Sequence, residues 1–310
     1  MRVVFLGTPE FAVPSLAALA KHHQVAAVYT QPDRPKGRGN HLAESPVKIA
    51  AKVFHIEVLQ PERIRHPENL DPLKAWRAEI MVVVGYGQII PQNIIDLPRF
   101  GILNVHASLL PKYRGAAPVQ WAIANGETET GVTIMQIDAG LDTGDMLLKA
   151  TLPIGRTETA PELSARLAPL GADLLIEAIE KIEAGTAKRE KQNNEHATLA
   201  PILKKEDGLV DWQRPAAQIH NRWRGFNPWP GAYTFFRGQQ MSITGASLAG
   251  ETQFIPGRTF TAKRRLFVAC GVGTVLELLE VQLAGKKRMS AEDFLNGYPL
   301  TENESLGEKP

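Results

Sequence analysis

The chain has 310 residues, a formal net charge of +2 and 44% hydrophobic residues. This composition allows a sizeable core in one large or two ordinary domains. No stretch approaches the roughly 20 apolar residues of a membrane span, and the strand-like run RVVFLG at residues 2–7 leaves no room for a signal or transit peptide. We therefore expect a cytoplasmic protein of bacterial type, without membrane contact.

The single cysteine, Cys270, excludes an intramolecular disulfide framework and a multi-cysteine zinc site. Because it lies in an apolar run, we expect a buried structural thiol. The small net charge does not by itself indicate a nucleic-acid partner. Positive charge is nevertheless concentrated locally, in residues 33–41, 262–265 and 284–290. Such clusters can bind polyanions, although most are solvated surface.

Up to about residue 190, the sequence alternates between apolar β-branched runs and helical periods. Strands are predicted near residues 3–7, 25–30, 80–84 and 102–106, each followed by a turn and a helical pattern. Two more strands, near 131–137 and 145–154, follow without an intervening helix, and a long helix is predicted over 160–185. This order predicts an α/β, Rossmann-like domain with a mostly parallel sheet.

The first turn, GTPEF at residues 7–11, lacks the pattern G-x-G-x-x-G. This argues against a dinucleotide-dependent dehydrogenase. The turn could still hold an anion at a helix N-terminus, and a purely structural turn is at least as consistent with the sequence.

Residues 186–207 are polar and charged with little apolar period, as is typical of a linker. Beyond them, one helix near 216–227 is followed by short strands separated by glycines, which predicts a small all-β barrel or sandwich. We therefore divide the chain into a catalytic domain at 1–189, a linker at 190–207 and a C-terminal domain at 208–310. The tryptophans Trp212, Trp223 and Trp229 are expected to pack rather than to stack on bases.

Polar side chains interrupt the apolar strand near 102–106. Asn104 and His106 are two apart, so they should project from one face at the carboxyl end of a parallel strand, where α/β proteins bind ligands. Later, Asp142 and Asp145 lie in a glycine-rich turn before the next strand. An amide, an imidazole and a carboxylate together could handle protons and stabilise an oxyanion. A polar pair that only caps the strand remains the alternative, as does ordinary turn chemistry for the aspartates.

Ser108 projects on the same alternation as His106 and is the only nucleophile candidate beside it. An acyl-enzyme mechanism would need a geometry that the sequence does not reveal.

The run NVHASLLPKYRGAAPVQWAI at 104–123, followed by TGVTIMQIDAGLDTGDML at 130–147, resembles the formyltransferases that use 10-formyltetrahydrofolate. Within them, five further segments resemble the methionyl-tRNA formyltransferase family. They are FLGTPEFAVPSL, TQPDRPKGRG, SPVKIAA, VVVGYGQIIP and FNPWPGAY, and they occur in order over nearly the whole chain.

This resemblance implies transfer of a formyl group from 10-formyltetrahydrofolate to the amino group of methionine on initiator tRNA, for translation initiation, by direct attack and without a metal. Asn104 and a protonated His106 would stabilise the oxygen of the tetrahedral intermediate. Asp142 would hold His106 and help to remove the amine proton. The resemblance also implies an OB-like barrel in the C-terminal domain.

Binding residues are implied in the same way. Ser108, Leu109, Leu110 and Pro111 match the segment that lines the folate site, and Tyr86 and Gly87 would lie near the pterin or form only a core strand and turn. The tRNA contacts implied by the basic loop and by the C-terminal domain are Arg34, Lys36, Arg38, Lys286, Lys287 and Arg288. Arg38 is the first choice for discriminating the initiator. A monomer that binds one tRNA is the expected assembly.

Three alternatives stay open on the sequence. The acceptor could be another amine, such as glycinamide ribonucleotide or an amino sugar nucleotide, although a small acceptor needs neither the basic loop nor the C-terminal domain. A hydrolase would instead release formate. A tRNA-binding or RNA-binding protein with a vestigial folate site would need none of the three polar side chains.

Overall fold

The computed structural model describes residues 1–36 and 41–307. Contacts divide the chain into two compact units. Unit 1 comprises Met1–Pro118, Glu129–Pro153 and Glu162–Pro201, and unit 2 comprises Val119–Thr128, Ile154–Pro161 and Ile202–Pro310.

The strands of the described residues are β1 (Arg2–Gly7), β2 (Gln24–Tyr29), β3 (Arg34–Lys36), β4 (His41–Ala43), β5 (Val58–Leu59), β6 (Ile80–Val84), β7 (Ile102–His106), β8 (Glu129–Gln136), β9 (Met146–Pro153), β10 (Ala232–Phe236), β11 (Gln239–Glu251), β12 (Thr259–Ala262), β13 (Arg265–Ala269), β14 (Thr274–Leu283) and β15 (Met289–Ser290). The α-helices are α1 (Val13–His22), α2 (Pro46–Val53), α3 (Leu70–Ala75), α4 (Gln92–Ile95), α5 (Pro118–Ala124), α6 (Ala160–Glu183), α7 (Ala216–Gly225) and α8 (Ala291–Gly297).

Unit 1 is built on a seven-stranded sheet in the order β5-β2-β1-β6-β7-β8-β9. Strands β5, β2, β1, β6 and β7 run parallel, and β8 and β9 are antiparallel to their neighbours. Strand β6 is wholly apolar and buried, and β1 is buried from Val3 onwards, as the continuous apolar runs in the sequence predict. The predicted α/β domain with a mostly parallel sheet is therefore confirmed.

Unit 2 contains a six-stranded antiparallel sheet in the order β10-β11-β14-β13-β12, with β15 paired to β14. Its core includes Trp212 at 5% exposure, and Trp223 packs against it. The predicted C-terminal β domain is confirmed. Trp229 does not pack as expected, because 56% of its surface is exposed.

The short elements escaped the sequence patterns. The basic loop was expected at residues 33–40, but its residues 34–36 form β3, which pairs with β4 so that Arg34 lies opposite Ala43. Two-residue strands such as β5 and β15, and the short helices α3 and α8, are below the length at which periodicity is informative.

Cys270 is fully buried, as predicted, and its thiol donates a hydrogen bond to the carbonyl of Val268. Burial raises the pKa of this thiol to about 12, so it stays protonated and unreactive at neutral pH.

The imidazole of His220 is 6% exposed on α7 and packs against the ring of Trp223 at 5.4 Å. Burial, and then the charge of Arg224, lower the pKa of His220 below its ordinary value of 6.5. Protonation is therefore easier in the unfolded chain, so His220 destabilises the fold increasingly as the pH falls below 6.5.

We expect the variant His220→Gln to reduce the loss of unfolding free energy between pH 7.5 and pH 5.5, because glutamine cannot take up the proton. Denaturation by guanidinium chloride, followed by circular dichroism at both pH values, measures the difference. A constant difference between variant and parent at the two pH values would contradict this assignment.

Candidate active site

Asn104 and His106 lie on one face of β7, as their spacing predicts. Val105 between them faces α6, where a Cβ added to Gly171 would lie 2.8 Å from its side chain. The alternation of a strand therefore directs Asn104 and His106 to the opposite face. His106 is 5% exposed and Asn104 is half-buried.

Asp142 lies in the turn between β8 and β9 and reaches both of these side chains. Its Oδ1 accepts a hydrogen bond from Nδ2 of Asn104 at 3.3 Å, and its Oδ2 lies 3.7 Å from Nδ1 of His106. The backbone N–H of Gly115 donates to the same Oδ2 at 2.8 Å. The structure thus brings together the amide, the imidazole and the carboxylate, whose catalytic roles stay a prediction.

The two ring nitrogens of His106 have different partners. Nε2 lies 2.9 Å from the carbonyl oxygen of Tyr113. Since a carbonyl only accepts, Nε2 carries a proton in this contact. Nδ1, which faces the carboxylate of Asp142, is then the nitrogen that gains or loses the second proton. A positive charge on the ring would lie directly against the negative charge of Asp142.

Residues 113–115 form the second side of the site, which the sequence did not predict. Tyr113 has a left-handed backbone with φ of 62°, and its carbonyl fixes His106. Gly115 has φ of 119°, and a Cβ there would lie 2.7 Å from the carbonyl oxygen of Ala200. Only glycine fits this position. The glycine of the run YRG was the one available signal, because the contacts themselves are made by backbone atoms.

The segment 108–111 is a tight turn, and the side chain of Ser108 makes a hydrogen bond to the backbone of this turn. The hydroxyl of Ser108 is fully buried and donates to the carbonyl of Lys112 at 2.6 Å. Leu110 is buried against Met135 and Met146. Leu109 and Pro111 are half-buried and are the side chains of this segment with surface left for a ligand. The position of Ser108 gives no support to an acyl-enzyme.

Tyr86 and Gly87 differ in accessibility. The side chain of Tyr86 is 1% exposed and belongs to the core of unit 1, and burial raises the pKa of its hydroxyl. Its carbonyl accepts hydrogen bonds from Thr8 and Gln31. Gly87 is exposed with φ of 79°. Gly87, but not the ring of Tyr86, is thus accessible to a ligand.

The basic residues proposed for tRNA contact lie at the surface where the structure describes them. Arg34 is exposed on β3, the strand that also contains Lys36, whereas Arg38 lies outside the described residues. Lys286, Lys287 and Arg288 are exposed in the turn before β15, and Arg288 is ion-paired with Glu280.

The start of β3 is anchored to α2. Lys48 donates to the carboxylate of Asp33 at 2.5 Å, and Gln60 donates to it at 2.7 Å. These hydrogen bonds, that of Lys48 first, lower the pKa of Asp33. Asp33 therefore remains ionised at neutral pH. Its hydrogen bonds fix the chain immediately before Arg34, where β3 begins.

The described residues contain neither a cluster of metal-ligating side chains nor a membrane-spanning helix. In residues 1–36 and 41–307, no group of three His, Cys, Asp or Glu side chains is placed to hold a metal ion. No helix within these ranges is long and apolar enough to cross a membrane.

Comparison with known proteins gives matches over both units. Residues 1–179 match the family model described as formyl transferase, and residues 202–299 match that of the formyl transferase C-terminal domain. A solved sugar 3N-formyl transferase, WlaRD, in the presence of dTDP and 5-N-formyl-THF, has a similar fold with a TM-score of 0.68. It is 21% identical, and the match covers 93% of this chain and 99% of that chain. These matches, with the polar cluster at the end of β7, define a formyl group transferase.

The most informative relatives are nearly collinear with the chain. The methionyl-tRNA formyltransferase of Solibacter usitatus is 60% identical over 309 residues, covering 99% of both chains. That of Koribacter versatilis is 55% identical, also with 99% of both chains covered. The chain belongs to the methionyl-tRNA formyltransferase family.

Proposed function

We propose that the protein transfers the formyl group of 10-formyltetrahydrofolate to the amino group of methionine on initiator methionyl-tRNA, in the bacterial cytoplasm. The proposal depends on one observation: Asn104, His106 and Asp142 lie together at the carboxyl end of β7. They supply a hydrogen-bond donor, a titratable base and a carboxylate within a few ångströms of one another, and family membership supplies the substrates.

The reaction needs no covalent enzyme intermediate. The lone pair of the methionyl nitrogen attacks the formyl carbon, a C–N bond forms, and the carbonyl electrons move to the oxygen. The nitrogen, now positive, loses a proton. The carbonyl then reforms, the bond from carbon to N10 of the folate breaks, and N10 takes up a proton. The protein has to hold the two reactants, stabilise the oxyanion and accept the amine proton.

Each of these tasks has a candidate in the site. Asn104 uses one amide N–H for Asp142 and has a second N–H for the oxyanion. An imidazolium at His106 would add positive charge near that oxygen, and Asp142 would stabilise it. The Asp142 carboxylate also provides the acceptor to which the amine proton can pass.

The folate is the formyl donor in this proposal. WlaRD, with the same fold, was solved with 5-N-formyl-THF. In this chain, Leu109, Pro111 and Gly87 combine accessible surface with a position in segments that resemble the folate site. We propose that Ser108 and Leu110 shape this pocket from behind, through the hydrogen bond to Lys112 and the packing on Met135.

The tRNA is proposed to contact the basic residues Arg34, Lys36, Arg38, Lys286, Lys287 and Arg288. In unit 2, Arg288 lines a groove of about 350 Å³ together with Lys205, Trp223 and Tyr233. Cations beside aromatic rings and amides are suited to phosphates and to unstacked bases. This groove supports a role of the C-terminal unit in holding the tRNA. A monomer is proposed as the binding species.

Transfer of labelled formyl from 10-formyltetrahydrofolate tests the function. The acceptors are initiator methionyl-tRNA, elongator methionyl-tRNA, uncharged tRNA, free methionine and glycinamide ribonucleotide. We expect product with initiator methionyl-tRNA alone. Product on a small amine, or release of free formate without an acceptor, would overturn the substrate and leave the chemistry of the site in place.

Neutralising both exposed lysines of the turn, in Lys286→Ala with Lys287→Ala, is expected to raise the KM for methionyl-tRNA several-fold with little change in kcat. Each lost phosphate contact should reduce the slope of log affinity against log salt by about 0.7 to 0.9. Filter binding between 50 and 200 mM salt, roughly the range over which such contacts weaken, measures the slope. The control changes Lys204 and Lys263 to alanine together, since both are exposed in unit 2 and neither lines the groove beside Arg288. An unchanged slope for the Lys286 and Lys287 pair would contradict their place in the tRNA interface.

A further inference from the structure

Residues 190–201, which the sequence predicted as the start of a linker, are folded against the catalytic loops of unit 1. Glu190 exchanges two backbone hydrogen bonds with Met146 at 2.8 and 2.9 Å. Eight residues later, Thr198 accepts from the N–H of Arg114 at 2.9 Å, and Ala200 donates to the carbonyl of Arg114 at 2.7 Å. We call residues 190–200 the strap, because they join the start of β9 to the loop 113–115. The boundaries of the domains stay a prediction.

Gln192 lies in the middle of the strap, and its side-chain amide contacts both loops. Its Nε2 donates to the carbonyls of Asp142 and Gly144, at 2.8 Å each. Its Oε1 accepts from Nε and Nη2 of Arg114 at 3.0 and 2.7 Å. Both N–H groups and both oxygen lone pairs of the amide are therefore used, which fixes its orientation.

Arg114 makes this contact costly to lose. Its side chain is 7% exposed, and Nη2 also donates to Oδ1 of Asn194 in the strap at 2.8 Å. A buried guanidinium requires hydrogen-bond acceptors, because its desolvation is otherwise uncompensated. Oε1 of Gln192 accepts two hydrogen bonds from Arg114, while its Nε2 donates to the loop that contains Asp142.

These contacts close a ring around the proposed catalytic carboxylate. The carbonyl of Asp142 is held by Gln192, its carboxylate is held by the N–H of Gly115, and Gly115 follows Arg114, which Gln192 also holds. Asp142 has φ of 51° and so occupies a sparsely populated backbone region that its surroundings must maintain. The ring therefore restrains both the backbone of Asp142 and the distance of its carboxylate from His106.

We propose that Gln192 is a positioning residue, which acts through Asp142 to hold the carboxylate against Asn104 and His106. This inference rests on the proposed function, because it assigns Gln192 to the same formyl transfer. Since Gln192 contacts two carbonyls and a guanidinium of the protein, we expect it to affect kcat and to leave substrate affinity nearly unchanged.

Two variants separate the role of the amide oxygen of Gln192 from that of its amide nitrogen. Gln192→Glu keeps an acceptor for Arg114 but loses the donor to Asp142 and Gly144, and Gln192→Leu removes both. We expect kcat to fall tenfold or more in each, with the KM values for folate and methionyl-tRNA within threefold of the parent. Gln192→Glu should retain the melting temperature of the parent more closely than Gln192→Leu, because its carboxylate still pairs with Arg114. Gln253→Glu, an exposed site in unit 2, is the matched control and should leave kcat unchanged.

A double variant shows whether Gln192 acts through Asp142. If it does, Gln192→Leu combined with Asp142→Asn should be no slower than Asp142→Asn alone, whereas independent effects would multiply. Multiplied effects, or a kcat within twofold of the parent in both single variants, would overturn the proposal. A rise in the KM for tRNA at constant kcat would also overturn it, by assigning the strap to tRNA binding.

Hydrogen exchange tests the positioning role of Gln192 independently of the proposed function, because it needs no substrate. Gln192→Leu should speed exchange of the amides in 113–117 and 140–145, and Gln253→Glu should not. A parent protein without formyl transfer to methionyl-tRNA would contradict the proposed function, while unchanged exchange in Gln192→Leu would contradict the positioning role.

Discussion

The variant His106→Ala is expected to lower kcat for formyl transfer by about 100-fold to 10,000-fold, the range typical of a lost acid-base group. Alanine removes both the positive charge available near the oxyanion and the group that faces Asp142 at 3.7 Å. Because His106 is only 5% exposed, it presents almost no surface to the body of a tRNA. The Kd for methionyl-tRNA should therefore stay within about twofold.

Single-turnover transfer at saturating enzyme measures the chemical step, and filter binding measures the affinity. His66→Ala is the control, since His66 is exposed and its imidazole lies 3.3 Å from the exposed carboxylate of Glu68. A His106→Ala protein with normal turnover would remove the mechanism proposed for this site. Loss of tRNA binding together with turnover would point to a disturbed loop 113–115, whose carbonyl His106 holds.

The sequence predicted two polar side chains of the site from strand geometry, and the third, Asp142, from the family resemblance. Residues two apart on a buried strand share a face, so Asn104 and His106 could be paired without a structure. The turn between two antiparallel strands then places an aspartate near the neighbouring strand end. The residues alone left Asp142 and Asp145 as equal candidates, and the family resemblance selected Asp142, whose carboxylate contacts Asn104 in the structure.

The rest of the site was not predictable in this way, since it is made by backbone groups. Backbone carbonyl and N–H groups occur throughout the chain, so the residue types Tyr113 and Gly115 do not reveal these contacts. Only the fold directs the two groups towards His106 and Asp142. The strap was interpreted as a linker for a related reason. Its contacts are hydrogen bonds from polar residues such as Gln192, and a polar segment without apolar period is typical of a linker.

The fold, like the site, was predictable from the sequence only in part. Long apolar strands such as β6 were predicted, because burial on both faces imposes continuous hydrophobic runs. Tyr86 shows the limit, since a residue at the end of such a strand can turn towards a ligand or into the core, and it lies in the core. Trp229 shows the opposite case, a large aromatic side chain that the structure leaves half exposed.

The variant Asp142→Asn is expected to lower kcat by about 100-fold or more while the protein stays folded, because it removes the charge that stabilises an imidazolium at His106. Asparagine tolerates the left-handed backbone found here, with φ of 51°, and its side-chain oxygen can still accept from the N–H of Gly115. The change therefore removes the charge, the ability to accept the amine proton, and the hydrogen bond from Nδ2 of Asn104, which would face an amide nitrogen. The KM for the folate should change little.

Asp145→Asn is the matched control, since it lies in the same turn and, within the part of the chain that the structure describes, its carboxylate contacts neither Asn104 nor His106. Steady-state transfer to methionyl-tRNA, with circular dichroism to show that the fold is kept, compares the two variants. Equal losses would mean that the turn as a whole matters and not the charge of Asp142. A kcat within threefold of the parent for Asp142→Asn would mean that the amine proton leaves without this carboxylate, and that His106 needs no counter-charge.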